Sequence, residues 1–125
     1  MTQYRILVID DEPRMRSLMQ RGLGLAGFLV DTAESGEIGL LAVLQSPPDV
    51  VLLDLMMPGI FDGFATLERL LKLEPRPKVI VISGRDELED RQRAMVADGF
   101  LVKPVGFDFL VQTIHQVIAG LSFQK

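Results

Sequence analysis

Asp49-Val50-Val51-Leu52-Leu53-Asp54 is an apolar run that ends in a carboxylate. A second apolar run, Arg5-Ile6-Leu7-Val8-Ile9, leads to Asp10 and Asp11, and a third, Gly99-Phe100-Leu101-Val102, leads to Lys103. Short runs of this kind, rich in β-branched residues, are typical of strands that are covered on both faces of a parallel sheet. Charged residues at the same end of several such strands predict a site at one edge of that sheet.

The strand candidates alternate with longer segments of helical spacing, which predicts βαβ units. The predicted strands are residues 5–9, 28–32, 50–54, 79–83 and 99–102, and the predicted helices are 13–26, 35–45, 63–73, 86–97 and 107–120. This pattern indicates an α/β fold with a doubly wound five-stranded parallel sheet and five helices, in which ligands bind beyond the carboxyl ends of the strands. Ser83, at the end of the fourth strand, is predicted to join the charged residues there.

Two helix candidates have unusual surfaces. The second is apolar almost all round, which indicates either a deeply covered helix with a few apolar surface residues or a contact surface for another protein or protomer. The fourth has a thin apolar face, formed by Leu88, Met95 and Val96 among charged residues. A helix with so few apolar contacts is expected to be lightly anchored.

Composition limits the class of protein. A chain of 125 residues with 48% hydrophobic residues suits one domain, predicted to cover residues 1–125. The net charge of −4 argues against direct binding to nucleic acid, and the absence of cysteine excludes disulfides and zinc–thiolate sites. There is no signal-peptide pattern, and no apolar run approaches the ~20 residues of a membrane helix. We therefore expect a cytoplasmic domain without membrane contact.

The clustered acids suggest phosphoryl chemistry. Carboxylates that lie together repel by about 4 kcal/mol per pair at about 4 Å and an effective dielectric constant of about 20, so they should take up protons or hold a cation. Oxygen ligands without histidine or cysteine favour Mg²⁺ or Ca²⁺ over zinc. With a lysine and a serine hydroxyl nearby, the set fits attack of one aspartate on a phosphoryl group.

Each group also has an ordinary structural explanation. The acids Asp10-Asp11-Glu12 can complement a helix N-terminus, Asp54 can end a strand in a turn, and Ser83-Gly84 and Lys103-Pro104 can be plain loops. Their joint occurrence at successive strand ends favours a common site. His115 falls on the polar side of the last helix and is predicted to be a surface residue.

Four motifs resemble the receiver domains of bacterial two-component response regulators. They are Ile9-Asp10-Asp11-Glu12-Pro13, Leu53-Asp54-Leu55-Met56-Met57-Pro58, Ile82-Ser83-Gly84 and Leu101-Val102-Lys103-Pro104. The resemblance covers the whole chain, in order and at the expected spacings. It implies the flavodoxin-like receiver fold with strand order 2-1-3-4-5.

The resemblance implies a role for each matching residue. Asp54 would accept a phosphoryl group from a sensor histidine kinase or a phosphotransfer protein. Mg²⁺ would be held by Asp11, Asp54 and the backbone carbonyl of Met56, with Asp10 acting through a metal-bound water. Lys103 would pair with a phosphoryl oxygen.

The resemblance also implies a switch. Ser83 would move to bond the phosphoryl group, and Phe100 would rotate in response. The surface of the fourth helix, fifth strand and fifth helix would then change and control a downstream effector or output domain. The Lys103–Pro104 peptide bond is expected to be cis, and weak phosphorylation from small phosphodonors is expected. The residues near the acceptor, Met56 and Arg85, predict moderately slow autodephosphorylation.

The chain departs from the family pattern near the acceptor. Gly59-Ile60-Phe61 contains one residue more than usual before Asp62-Gly63, and Gly84 and Val96 replace a common alanine and glycine. Met56 and Arg85 occupy positions expected to set the lifetime of the acyl phosphate, with Met56 hindering water and Arg85 holding the phosphoryl group.

Other functions remain as alternatives. A phosphohydrolase with an aspartyl-phosphate intermediate commonly has a second aspartate two positions after the nucleophile, where this chain has Met56. A flavin-binding relative needs a phosphate loop that Asp10-Asp11-Glu12 would repel. A non-phosphorylated interaction module would not need every chemical position filled. The pattern leaves homodimerisation open, as well as whether the chain stands alone, precedes an output domain or comes from a hybrid kinase; the start at Met1 mildly disfavours the hybrid.

Overall fold

The fold was analysed in a computed structural model that describes residues 3–59, 62–84, 87–120 and 123–124. Strands and helices alternate along the chain. The strands are β1 (Arg5–Ile9), β2 (Leu29–Ala33), β3 (Val50–Asp54), β4 (Lys78–Ser83), β5 (Gly99–Val102) and β6 (Phe123–Gln124). The helices are α1 (Pro13–Leu25), α2 (Gly36–Gln45), α3 (Gly63–Leu71), α4 (Leu88–Ala94) and α5 (Phe107–Ile118).

The strands form one parallel sheet in the order β2-β1-β3-β4-β5-β6. The predicted order of the five main strands is therefore confirmed. The short strand β6, which pairs with β5 through Gly99 and Phe100, is an addition that the sequence pattern did not predict. The register places Ile9 beside Leu53 and Asp54 beside Ile82, so the carboxyl ends of the central strands lie side by side.

The core has two layers, one on each face of the sheet. Leu7, Ile9, Val51 and Leu53 pack on one face with buried side chains of α2, α3 and α4. Their neighbours in the strands, such as Ile6, Val8, Val50 and Leu52, pack on the other face with α1 and α5. Successive strand residues point to opposite faces, which is why continuous apolar runs serve both layers.

Strand β2 and helix α2 differ from the interior elements. At the edge of the sheet, β2 exposes Leu29 and Asp31, so the expectation that every strand is covered on both faces is wrong for this strand. Helix α2 packs through Gly36, Gly39 and Val43. Leu40 is partly buried against the core, whereas three other large apolar side chains of the helix are exposed: Ile38, Leu41 and Leu44.

Helix α4 is shorter than the sequence predicts. The pattern predicts residues 86–97, whereas the helix runs from Leu88 to Ala94 and Asp86 lies outside the described residues. The predicted apolar face is also wrong, because Leu88, Met95 and Val96 are exposed and the side chains that reach the core are those of Ala94 and Ala97. A small alanine lets a short helix lie close to its neighbours, and the larger side chains then have no room beneath it.

Two further predictions were made from local pattern. His115 is exposed on α5, as predicted, with its ring 5.3 Å from the ring of Phe28. Within the described part of the chain, no helix has the length and apolar character needed to cross a bilayer.

Candidate functional site

Three carboxylates meet at the carboxyl edge of the sheet. Asp10 and Asp11 follow β1, and Asp54 ends the neighbouring strand β3. One carboxylate oxygen of each lies within 4.8 Å of the others. Asp10 and Asp54 are only 4% and 6% exposed, whereas Asp11 is exposed. The structure therefore brings the three predicted acids together.

Lys103 faces two of these carboxylates. Its Nζ lies 3.6 Å from Oδ2 of Asp10 and 3.7 Å from Oδ2 of Asp54. The residue is placed by the β4–β5 pairing, and its main-chain N–H donates to the carbonyl of Ser83 at 2.8 Å. The following Lys103–Pro104 peptide bond is cis. A cation in this position reduces the repulsion between Asp10 and Asp54.

The two buried carboxylates use their oxygens in the same way. Oδ1 of Asp10 accepts a hydrogen bond from the main-chain N–H of Glu12 at 2.9 Å, and Oδ1 of Asp54 accepts one from Met56 at 3.0 Å. In each case the other oxygen, Oδ2, is the one near Lys103. In each residue, Oδ1 thus fixes the loop after the strand, and Oδ2 faces the ammonium group of Lys103.

Burial raises the pKa of the Asp54 carboxyl group above its usual range. The hydrogen bond from Met56 and the charge of Lys103 oppose this increase, while Asp10 and Asp11 add to it. The net increase shows that loss of solvent contact outweighs the nearby ammonium group. Additional positive charge at the site would favour the ionised form of Asp54.

Arg16 is a basic residue of the site that the sequence analysis missed. Its Nη1 donates to the main-chain carbonyl of Asp10 at 2.6 Å. Arg16 lies in the first turns of α1, directly after the acidic loop. An arginine just inside a helix that follows two aspartates was the available signal, but its contact with the backbone was not evident from the residue type.

Ser83 and Phe100 lie in the sheet beside the acids. Both are fully buried, with 0% exposure. Ser83 ends β4 and pairs with Val102, the residue before Lys103, while Phe100 pairs with Val81. Ser83 is therefore next to the site along the sheet, and Phe100 lies further inside, in the layer that contains α3 and α4.

The loop after Asp54 returns close to its own start. A Cβ atom on Gly63 would lie 2.2 Å from the Cα of Leu55, so only glycine fits there. Asp62 caps α3 by accepting a hydrogen bond from the N–H of Ala65 at 2.9 Å. Ile60 and Phe61, which belong to the lengthened part of the loop, and Arg85 lie outside the described residues.

The donor set fits a hard divalent cation. Carboxylate oxygens from Asp10, Asp11 and Asp54 converge without histidine or cysteine, and Mg²⁺ prefers such ligands. The side chain of Met56 is exposed, and its main-chain N–H is engaged by Asp54.

Comparisons with known proteins point to one family. The family model described as response regulator receiver domain matches residues 6–115. The transcriptional activator protein IrlR of Burkholderia pseudomallei is 36% identical over 116 residues, which are 91% of this chain and 50% of that protein. The chain thus spans about half the length of the curated relatives it matches.

Solved structures agree with this result. A response regulator receiver domain protein (CheY-like) from Methanospirillum hungatei has a TM-score of 0.88 at 26% identity, covering 95% of this chain and 96% of that one. The response regulator protein TrrA from Thermotoga maritima, solved in complex with Mg(2+)-BeF, has a TM-score of 0.83 at 33% identity, covering 92% and 99%.

Proposed function

The chain belongs to the family of response regulator receiver domains, and on this basis we propose that it is a phosphoacceptor switch that is phosphorylated on Asp54. The observation that carries the proposal is the position of Lys103, whose ammonium group faces both buried carboxylates beside the third acid. This arrangement supplies a nucleophile with nearby positive charge, which phosphoryl transfer requires.

Asp54 acts as the nucleophile in this proposal. A bond forms between one of its carboxylate oxygens and phosphorus as the bond from phosphorus to the imidazole nitrogen of a partner's phosphohistidine breaks. The N–H of Met56 holds Oδ1, so the orientation of the carboxylate is set before reaction. Lys103 forms an ion pair with one phosphoryl oxygen, and the hydroxyl group of Ser83 donates a hydrogen bond to another phosphoryl oxygen.

Asp10, Asp11, Asp54 and the carbonyl of Met56 would hold Mg²⁺. Bound there, Mg²⁺ would neutralise charge on the phosphoryl oxygens. The Mg(2+)-BeF complex of TrrA, which is 33% identical to this chain, supports the same assignment. The raised pKa of Asp54 also supports it, since a buried acid of this kind is ionised more readily beside a cation.

Phosphorylation would change the surface formed by α4, β5 and α5. Ser83 and Phe100 are the proposed switch residues; both are buried, Ser83 at the end of β4 and Phe100 within β5. The relatives named as transcriptional regulators are about twice as long as this chain, which supports control of an output domain or a separate effector. The same proposal includes a histidine kinase or phosphotransfer protein as phosphodonor, one receiver domain over residues 1–125 and a cytoplasmic location.

A phosphohydrolase is the second candidate for this site, and it is disfavoured by the residue two positions after Asp54. That residue is Met56, which has no acid–base group and whose side chain is exposed. The domain is therefore proposed to act as a regulatory phosphoacceptor without turnover of phosphate esters. Sustained phosphate release from such esters would support the hydrolase instead.

The test is binding of beryllofluoride with Mg²⁺, followed by NMR of backbone amides. We expect shifts at Ser83, Phe100 and Lys103 in the wild type and none in Asp54→Asn. The control is Asp31→Asn, which removes an exposed carboxylate at the sheet edge and should respond like the wild type. A response in Asp54→Asn equal to that of the wild type would contradict the assignment of the acceptor.

A further inference from the structure

Helix α4 has little apolar anchorage. All of its residues, Leu88–Ala94, are described, and among them only Ala94 is buried. Leu88 is 69% exposed, and Met95 and Val96, directly after the helix, are 54% and 63% exposed. Since hydrophobic burial is the usual force that holds a helix on its domain, other contacts must contribute to the position of α4.

Two arginines of α4 lie over aromatic rings of other elements. The guanidinium carbon Cζ of Arg91 is 5.0 Å from the ring centroid of Phe100 in β5, and that of Arg93 is 3.8 Å from the ring centroid of Phe64 in α3. Both distances lie within the range of cation–π interactions, which strengthen when the groups are shielded from water. Phe100 is fully buried and Arg91 is half-buried.

The two contacts hold different sides of the helix. Residues two positions apart in an α-helix point in directions that differ by about 200°. Arg91 and Arg93 therefore attach α4 on one side to the sheet and on the other to α3. We call the pairs Arg91–Phe100 and Arg93–Phe64 the arginine clamp.

We propose that the arginine clamp holds α4 in place, and that Arg91 is a positioning residue that couples α4 to the state of the Phe100 ring. The second statement rests on the proposed function, in which Phe100 responds to the phosphoryl group. A guanidinium binds the face of a ring and not its edge. Rotation of Phe100 therefore removes the binding surface under Arg91 and releases that side of α4, and displacement of Arg91 in turn makes rotation of the ring easier.

The clamp is tested in the unphosphorylated protein by amide hydrogen exchange of α4 and double-mutant cycles. Arg→Met removes the charge and keeps an unbranched stem, and Phe→Leu removes the ring. We expect Arg91→Met and Arg93→Met each to raise exchange in α4 by about three- to tenfold. The matched cycles combine Arg91 with Phe100 and Arg93 with Phe64. In each, the exchange rate of α4 in the double variant should differ by about threefold or more from the value expected if the two single effects were independent.

The crossed cycles are the control. Arg91→Met combined with Phe64→Leu, and Arg93→Met combined with Phe100→Leu, join residues of different pairs and should be additive within about twofold. Gln92→Met changes an exposed residue between the two arginines and should leave exchange unchanged. Additive matched cycles, or equal coupling in matched and crossed cycles, would overturn the clamp. If Phe100→Leu unfolds the chain, the Arg93–Phe64 cycle decides the question.

The coupling to Phe100 is tested with beryllofluoride and Mg²⁺. In Arg91→Met we expect the amide shifts of α4 to fall to less than half of the wild-type values, while the shifts at Asp54 and Lys103 stay unchanged. The midpoint of the titration should move to a lower beryllofluoride concentration, because the ring rotates more easily without Arg91. Undiminished α4 shifts would overturn the role of Arg91. Absence of any response in the wild type would contradict the proposed function, while the exchange cycles would still decide whether the clamp exists.

Discussion

Asp54 lies at the end of β3, a central strand of the sheet, and it is buried there. Its Oδ1 accepts a hydrogen bond from the N–H of Met56, and its Oδ2 faces Lys103. Burial disfavours the charged form. The resulting increase in the pKa of Asp54 makes this residue a source of instability in the metal-free protein.

We expect Asp54→Asn to stabilise the metal-free protein at pH 7. Because the pKa of Asp54 in the folded state lies above the ordinary aspartate value of 3.8, the folded protein binds the proton more tightly than the unfolded chain. Its stability therefore falls as the pH rises from about 3.8 through the raised pKa. The variant has no carboxyl group at this position, so its stability does not fall in this pH range. Its Tm at pH 7 should therefore exceed that of the wild type, by about 4 °C for each kcal/mol of difference in the free energy of unfolding. Thermal melts in EDTA at pH 3.5 and 7 measure the difference. An equal difference at both pH values would contradict this account.

Lys103→Met should destabilise the metal-free protein by about 1–3 kcal/mol, since it leaves two buried carboxylates without their cation. Urea denaturation in EDTA measures the loss. Mg²⁺ should restore part of it, because a divalent cation reduces the same repulsion. Lys72→Met, at an exposed position, is the control and should change stability by less than about 0.5 kcal/mol. A loss as large in the control would show that the effect is not specific to the site.

At the scale of secondary structure, small residues decide how closely the elements approach. Gly63 lets the start of α3 lie against the backbone of Leu55, and Gly39 lets α2 lie against Ile9, where a Cβ would be 2.4 Å from Cδ1. In α4 the same role falls to Ala94. Small residues therefore set how closely the helices on this face approach the sheet, while larger ones such as Leu67 and Leu70 supply the apolar contact.

Gly63→Ala should destabilise the protein by about 1–3 kcal/mol or more, because its Cβ meets backbone atoms that cannot rotate away. Gly24→Ala is the matched substitution: it lies within α1, and beyond the helix's own backbone and the neighbouring residues no atom of the described chain lies within 4 Å of the added Cβ. There the substitution should stabilise by up to about 1 kcal/mol, because alanine favours the helix. Urea midpoints of both variants test the pair, and a loss of stability in both would show that backbone crowding is not the cause.

At the scale of the whole molecule, the site joins three segments that are distant in the chain. Asp10, Asp54 and Lys103 follow or end different strands and meet only because the parallel register aligns those strand ends. A cation held by the acids that follow β1 and end β3 would bind only the folded state, where these acids meet. Folding and cation binding are therefore linked.

Mg²⁺ at about 100 times its dissociation constant should stabilise the wild type by about 2.7 kcal/mol, or roughly 10 °C in Tm. Melts across a Mg²⁺ series measure the shift. The gain should fall by more than half in Asp54→Asn and remain in Asp31→Asn, which alters an exposed acid away from the site. An equal gain in all three proteins would indicate nonspecific binding.

The amino-acid sequence by itself determined the alternation of strands and helices, the strand ends that carry charge, and the identity of the residues that meet there. These features follow from local pattern: apolar runs mark β1, β3, β4 and β5, and Asp10, Asp54, Ser83 and Lys103 stand at their respective ends. The family resemblance supplied the strand order, and the structure agrees with it for the five main strands.

The environments of those residues depend on packing between elements. The burial that raises the pKa of Asp54 and the exposure of Leu88 on α4 depend on atoms far apart in the chain. The hydrogen bond from Arg16 to the carbonyl of Asp10 joins nearby residues, but it depends on the direction in which α1 follows the loop after β1. The arginine clamp likewise depends on rings in α3 and β5. Hydrophobic periodicity in the sequence indicates which side chains prefer the interior. Which of these side chains are actually buried depends on the distance between the packed helices and strands.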